Sequence, residues 1–105
     1  MFFAVMCTDR ADAEAVREAE MQAHTDYLMS HLDKIVWAGA RQRDGEAYGS
    51  FYLLRAASEE EARAFADADP FAIAGVFSSV EISDVRRGIF QPVLALGPAA
   101  EAAGR

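Results

Sequence analysis

Apolar residues recur along this chain in two rhythms, continuous short runs and three-to-four-residue steps, and their order predicts the elements. Phe2 to Cys7 is apolar at every position and reads as a short buried strand. Thr8-Asp9-Arg10 interrupts it, and Asp12 stands where an N-cap would open a helix from Ala13 to about Leu32. Within that span Val16, Ala19, Ala23, Tyr27, Leu28 and Leu32 repeat at helical spacing. His24, Leu28 and His31 fall on adjoining parts of one face, whereas Glu14, Arg17, Glu18 and Asp26 point mostly to solvent. Ile35 to Ala40 is a second strand, and Gly39 within it suggests a bulge or a close backbone approach. Arg41 to Glu46 is a polar hairpin segment in which Asp44-Gly45 signals the turn, and Ala47 to Arg55 forms the third strand.

Ser58-Glu59-Glu60-Glu61 is a capping box whose acidic triplet also suits the positive end of a helix dipole. The helix it opens runs to about Ala68 and buries Ala62, Phe65 and Ala66. Proline excludes the preceding residue from helical conformation, so Asp69 ends this helix, and a short one follows from Pro70 to Gly75. Ser79 to Arg86 is the fourth strand, with Val80 and Ile82 on one face. Gly88 to Leu94 is expected to be extended, with Pro92 confining it to an edge or an arm. The order β-α-β-β-α-β is the ferredoxin-like arrangement, an antiparallel sheet with helices on one face, an α+β fold. Residues 1–95 form one domain and 96–105 a flexible tail. Two helices cover only one sheet face, yet the first three strands are apolar on both. The bare face is expected to meet a copy of itself in a homodimer.

Composition narrows the partners. Of 105 residues, 10 are basic and 17 acidic, a net charge of −7 that repels phosphate backbones and argues against nucleic acid. The single Cys7 forms no internal disulfide and suits a reducing compartment. Phe2-Phe3 lacks the basic start of a secretory leader, and no run approaches the ~18 apolar residues of a membrane span. A cytoplasmic protein is expected.

Candidate chemistry is sparse. His24 and His31, the two histidines, are seven residues apart, too far along a helix to chelate one metal comfortably, and no zinc cluster, phosphate loop, dinucleotide motif or nucleophile elbow is present. Cys7 reads as a core residue. Asp69 is either a cap for the helix at Pro70 or a partner for His24. A carboxylate accepting from one imidazole nitrogen fixes the tautomer and raises the basicity of the other, which makes a general base without a cofactor.

The Phe2-Phe3-Ala4-Val5 strand, the helical Ala23-His24-Thr25-Asp26-Tyr27-Leu28 and above all Ala66-Asp67-Ala68-Asp69-Pro70-Phe71 with Gly75-Val76 resemble the YciI-like (YCII-related) family of the dimeric α+β barrel superfamily. Ala38-Gly39 and Gly49-Ser50 fit as well, and the resemblance covers roughly residues 1 to 92. It implies a His24–Asp69 dyad, with Gly39, Ser50 and Pro70 expected at the substrate, no cofactor, no metal, and a small-molecule ligand. Relatives are linked to cofactor-independent dehydrochlorination and resemble muconolactone isomerase in fold; others adjoin sigma-factor machinery. The implied function is acid–base elimination, dehydrochlorination or isomerisation of a small organic molecule. The alternative is a non-catalytic small-molecule-binding or scaffold dimer. Many relatives carry a basic residue about three positions before the histidine, where this chain has Met21; if that residue holds an anionic substrate, this chain either uses Arg10 or Arg17 instead or binds something less charged.

Overall fold

The computed structural model describes residues 1–96. In β1 (Phe2–Asp9) the side chains alternate: Phe3, Val5 and Cys7 are buried, while Phe2, Ala4 and Met6 turn to the opposite face. Pairing carries that alternation across the sheet. β3 (Glu46–Arg55) runs antiparallel to β1 with Val5 opposite Tyr52 and Cys7 opposite Ser50. β4 (Phe77–Val85) runs antiparallel on the other side with Val5 opposite Ile82 and Cys7 opposite Val80. β2 (Ile35–Arg43) pairs with β3, and the strand order is β2-β3-β1-β4. This is the ferredoxin-like antiparallel sheet that the element order predicts. The β2–β3 turn is made by Asp44 and Gly45, both at positive φ, 53° and 81°, as a two-residue primed hairpin turn requires.

One sheet face is covered by α1 (Glu14–Met29), α2 (Glu59–Asp67) and the single turn α3 (Pro70–Ile73). The core joins Phe3, Val5, Tyr52 and Leu54 of the sheet to Ala62, Phe65 and Ala66 of α2; a second cluster joins Ala13, Phe71 and Val76. Ser58 caps α2 by accepting from the Glu61 N–H at 3.2 Å, and the Glu61 carboxylate reaches back to the Ala57 N–H at 2.8 Å.

Four local expectations need correction. Asp12 does not cap α1: it sits at φ 63°, and Ala13 is the uncapped N-cap. The inward stripe of α1 is also turned from the apolar one, because Arg17 and His24 are buried while Ala19, Ala23 and Leu32 are exposed. The bulges in β2 fall between Ile35 and Trp37 and between Arg41 and Gln42, not at Gly39. Pro92 opens a short helix, α4 (Pro92–Leu96), in place of an extended arm, the N1 position at which its missing N–H costs nothing. The tail expected from residue 96 lies, beyond Leu96, outside the described residues. No helix among the described residues is long and apolar enough to cross a membrane.

Candidate functional site

Asp69 is fully buried at the entry to α3, and its carboxylate gathers three donors. The Phe71 N–H donates to Oδ1 at 2.9 Å, the N-cap bond that the sequence Asp69-Pro70 favours. His24 Nδ1 lies 2.8 Å from Oδ1 and 3.0 Å from Oδ2. The Tyr52 hydroxyl donates to Oδ2. Capping and partnering His24 are therefore not rival roles; one carboxylate performs both.

These contacts assign the imidazole. An ionised carboxylate only accepts, so Nδ1 carries the hydrogen, and in the neutral ring the free lone pair is on Nε2. Among the described residues Nε2 has no hydrogen-bond partner, and no buried side-chain nitrogen or oxygen there lacks one, so Nε2 is open to solvent. Phe71 fixes the ring plane, stacking on His24 at 3.9 Å between centroids and 8° between planes. Tyr52 packs edge-on against Phe65 at 5.7 Å. Burial first, then the Asp69 charge, push the Tyr52 phenol well above its ordinary range, which keeps it a neutral donor.

A second polar set adjoins the first. Arg17 clasps Asp9 through Nε at 2.8 Å and Nη2 at 3.1 Å, and Nη2 also donates to Ser50 Oγ at 3.0 Å. Its guanidinium carbon lies 4.7 Å from the centre of the same Phe71 ring that stacks on His24. Arg17, Glu14, Glu18 and Met21 of α1, with Glu46 and Ala47 of the hairpin, line an open cleft of about 330 Å³.

The expected site residues are thus only partly assembled. His24 and Asp69 meet, Pro70 sits at the first position of α3 beside them, and Ser50 enters through Arg17. Gly39 pairs with Phe51 on the opposite face of the sheet from Tyr52 and Ser50, away from the dyad. His31 also stands apart, its Nδ1 donating to the Tyr27 carbonyl at 2.8 Å in the last turn of α1. Tyr52 is not singled out by sequence, and Arg17 is named there only as a stand-in cation on a solvated face, not as a buried group. The available signal for Tyr52 was its inward position on an alternating strand, where a phenol needs a partner. Burial pushes the Cys7 thiol up to about 12, so it stays a neutral core group. No group of three or more potential metal-ligating side chains occurs among the described residues.

Comparison with known proteins is consistent with this picture. The family model described as YCII-related domain matches residues 1–86. The solved structure of 5-chloro-2-hydroxyhydroquinone dehydrochlorinase (TftG) from Burkholderia phenoliruptrix, in complex with 2,5-dihydroxybenzoquinone, superposes with a TM-score of 0.77 at 30% identity, covering 84% of this chain and 96% of that one. A protein from Agrobacterium tumefaciens matches with a TM-score of 0.53 at 14% identity over 88% of this chain and 98% of its own. A protein from Pseudomonas aeruginosa matches at 0.50 and 13% identity over 84% and 93%. The last two are similar in fold alone. No curated protein sequence matches the chain.

Proposed function

We propose that this chain, which belongs to the YCII-related domain family, is a cofactor-independent acid–base catalyst acting on a small organic molecule. The observation that carries the reading is the buried His24 Nδ1–Asp69 hydrogen bond with Nε2 left open. In an elimination, Nε2 takes a proton from a substrate C–H or O–H. The electron pair left behind forms the new double bond and expels the leaving group, chloride in a dehydrochlorination. In an isomerisation the same nitrogen returns the proton at another carbon. Asp69 stabilises the imidazolium that forms and holds its tautomer, while Tyr52 and the Phe71 N–H keep the carboxylate in place. The likeness to a dehydrochlorinase supports elimination as the first reaction class to assay.

The test is chloride release from 5-chloro-2-hydroxyhydroquinone and a panel of halogenated hydroquinones, with wild type and His24→Asn compared. Removing the base should cost roughly 10²–10⁴-fold in kcat. Equal rates in the two proteins overturn the catalytic role of His24. Saturable binding of 2,5-dihydroxybenzoquinone with no turnover anywhere in the panel would make the protein a binder, and neither binding nor turnover would make it a scaffold.

A further inference from the structure

The structure assigns Arg17 as a specificity-determining residue whose Nη1 takes an uncharged acceptor oxygen of a small ligand in the cleft between α1 and the β2–β3 hairpin. The inference rests on the acid–base reading above and adds to it what kind of ligand the site selects.

Arg17 is only 8% exposed, and its contacts use one side of the guanidinium. Nε and Nη2 are taken by Asp9 and Ser50. Nη1 has no partner among the described residues, and since no fully buried side-chain nitrogen there lacks one, Nη1 keeps some contact with solvent. Arg17 is among the residues that line the cleft. A buried donor pair left to water gains most from a ligand oxygen that replaces the water.

Charge decides which oxygen. The Asp9 carboxylate, 2.8 Å away, already offsets the guanidinium. The rest of the cleft wall carries Glu14, Glu18 and Glu46, three carboxylates and no further cation. An anionic ligand would enter a field of its own sign, whereas a neutral carbonyl meets Nη1 without that cost. The glutamates then accept from ligand hydroxyls at the mouth, and Met21 and Ala47 supply apolar wall. Arg17 and His24 stand two turns apart on α1, about 10 Å along the axis, and both contact Phe71. His24, Asp69 and Tyr52 are not part of the cleft wall, so a ligand of single-ring size bonded to Nη1 leaves the dyad in place.

The probes are 3-hydroxybenzamide, a neutral ring with a carbonyl and a hydroxyl, and 3-hydroxybenzoate, its anionic counterpart, titrated into the full chain and followed by ¹⁵N NMR. The amide should move the Arg17 guanidinium resonances and the backbone signals of residues 14–21 and 46–47, and bind at least tenfold more tightly than 3-hydroxybenzoate. Binding of 3-hydroxybenzoate as tightly as the amide, or an amide titration that leaves Arg17 unmoved, overturns the assignment. Arg17→Met leaves Asp9 unpaired and can fail to fold, so the second variant is the triple exchange Glu14→Gln, Glu18→Gln and Glu46→Gln, which leaves Arg17 intact. It should tighten 3-hydroxybenzoate roughly fivefold with little change for the amide; no change for 3-hydroxybenzoate counts against the charge argument. Binding is read without turnover, so loss of the catalytic reading and loss of this one are distinguishable.

Discussion

Asp69 accepts from three donors at once, and two substitutions separate what each bond does. In Asp69→Asn the amide oxygen can still take Nδ1 of His24 and the Phe71 N–H, because asparagine caps as well as aspartate. Its NH₂ then faces Tyr52, whose hydroxyl can rotate to accept. Geometry survives and the negative charge is gone. The expected result is a folded protein with activity reduced at least ~10²-fold, since the imidazolium loses its counter-charge. Asp69→Ala removes the cap as well and leaves buried donors unsatisfied, so it should be at least ~2 kcal/mol less stable than Asp69→Asn by urea denaturation. Full activity in Asp69→Asn would reduce the carboxylate to its capping role. Cys7 gives a second residue-scale expectation. Its folded pKa is raised from the ordinary 9.0 to about 12 by burial and then by the Asp69 charge. That contribution to stability is fully present below pH 9 and is lost as pH rises towards 12, because the unfolded chain sheds the thiol proton first. The urea midpoint should fall between pH 8 and pH 11, and less steeply in Cys7→Ala; an equal slope in both proteins would remove Cys7 as the cause.

Among the elements, Gly49 and Gly39 form a natural pair of tests. A Cβ at Gly49 would lie 2.1 Å from the Cys7 carbonyl oxygen, a position backbone atoms cannot share. The missing side chain also admits Arg41, whose Nη1 donates to that carbonyl and to Thr8 Oγ1, both at 2.9 Å. Gly49→Ala must push β1 and β3 apart and should cost at least ~2 kcal/mol. At Gly39 the nearest atom to a new Cβ is Trp37 Nε1 at 3.9 Å, so Gly39→Ala should fold normally; comparable losses in the two variants would contradict this account. From sequence, Gly39 was the glycine expected to mark a bulge or close approach. The error is instructive, since both glycines sit inside strands and only the inter-strand partner distinguishes them. What was legible depended on local chemistry: the short continuous apolar runs, the Asp44-Gly45 turn, the Ser58 capping box and the Pro70 helix start all recur in the structure. The Asp69 carboxylate was legible as a cap for the same reason. The burial of Arg17 was not, because a charged side chain at helical spacing reads as solvated until Asp9 and Ser50 arrive from two strands to receive it. Tyr52 likewise acquires its role only from Asp69, 17 residues later in the chain.

At the scale of the whole molecule, α1, α2 and α3 occupy one sheet face, and among the described residues only the segment Arg86–Phe90 approaches Phe2, Val36 and Leu53 on the other. Trp37 and Val36 are 53% and 45% exposed there, and Met6 is 36% exposed, beside Phe2, Phe51 and Leu53, which are only partly covered. An apolar surface that spans three strands is the kind of patch that marks a contact with another chain. We expect two copies to close these faces on each other, leaving both dyads and both clefts on the outer, helical side. Sedimentation at micromolar concentration should then report about twice 11.4 kDa. Trp37→Asp places an unpaired charge against apolar neighbours in that interface and should yield a monomer or an unfolded chain. Its effect should exceed that of Met21→Asp, an equally polar change at an exposed residue on the helical side. If the dimer forms through the face that carries Trp37, Met21→Asp remains dimeric while Trp37→Asp does not. A native chain that sediments at 11.4 kDa, or dimers disrupted by Met21→Asp alone, would move the interface elsewhere.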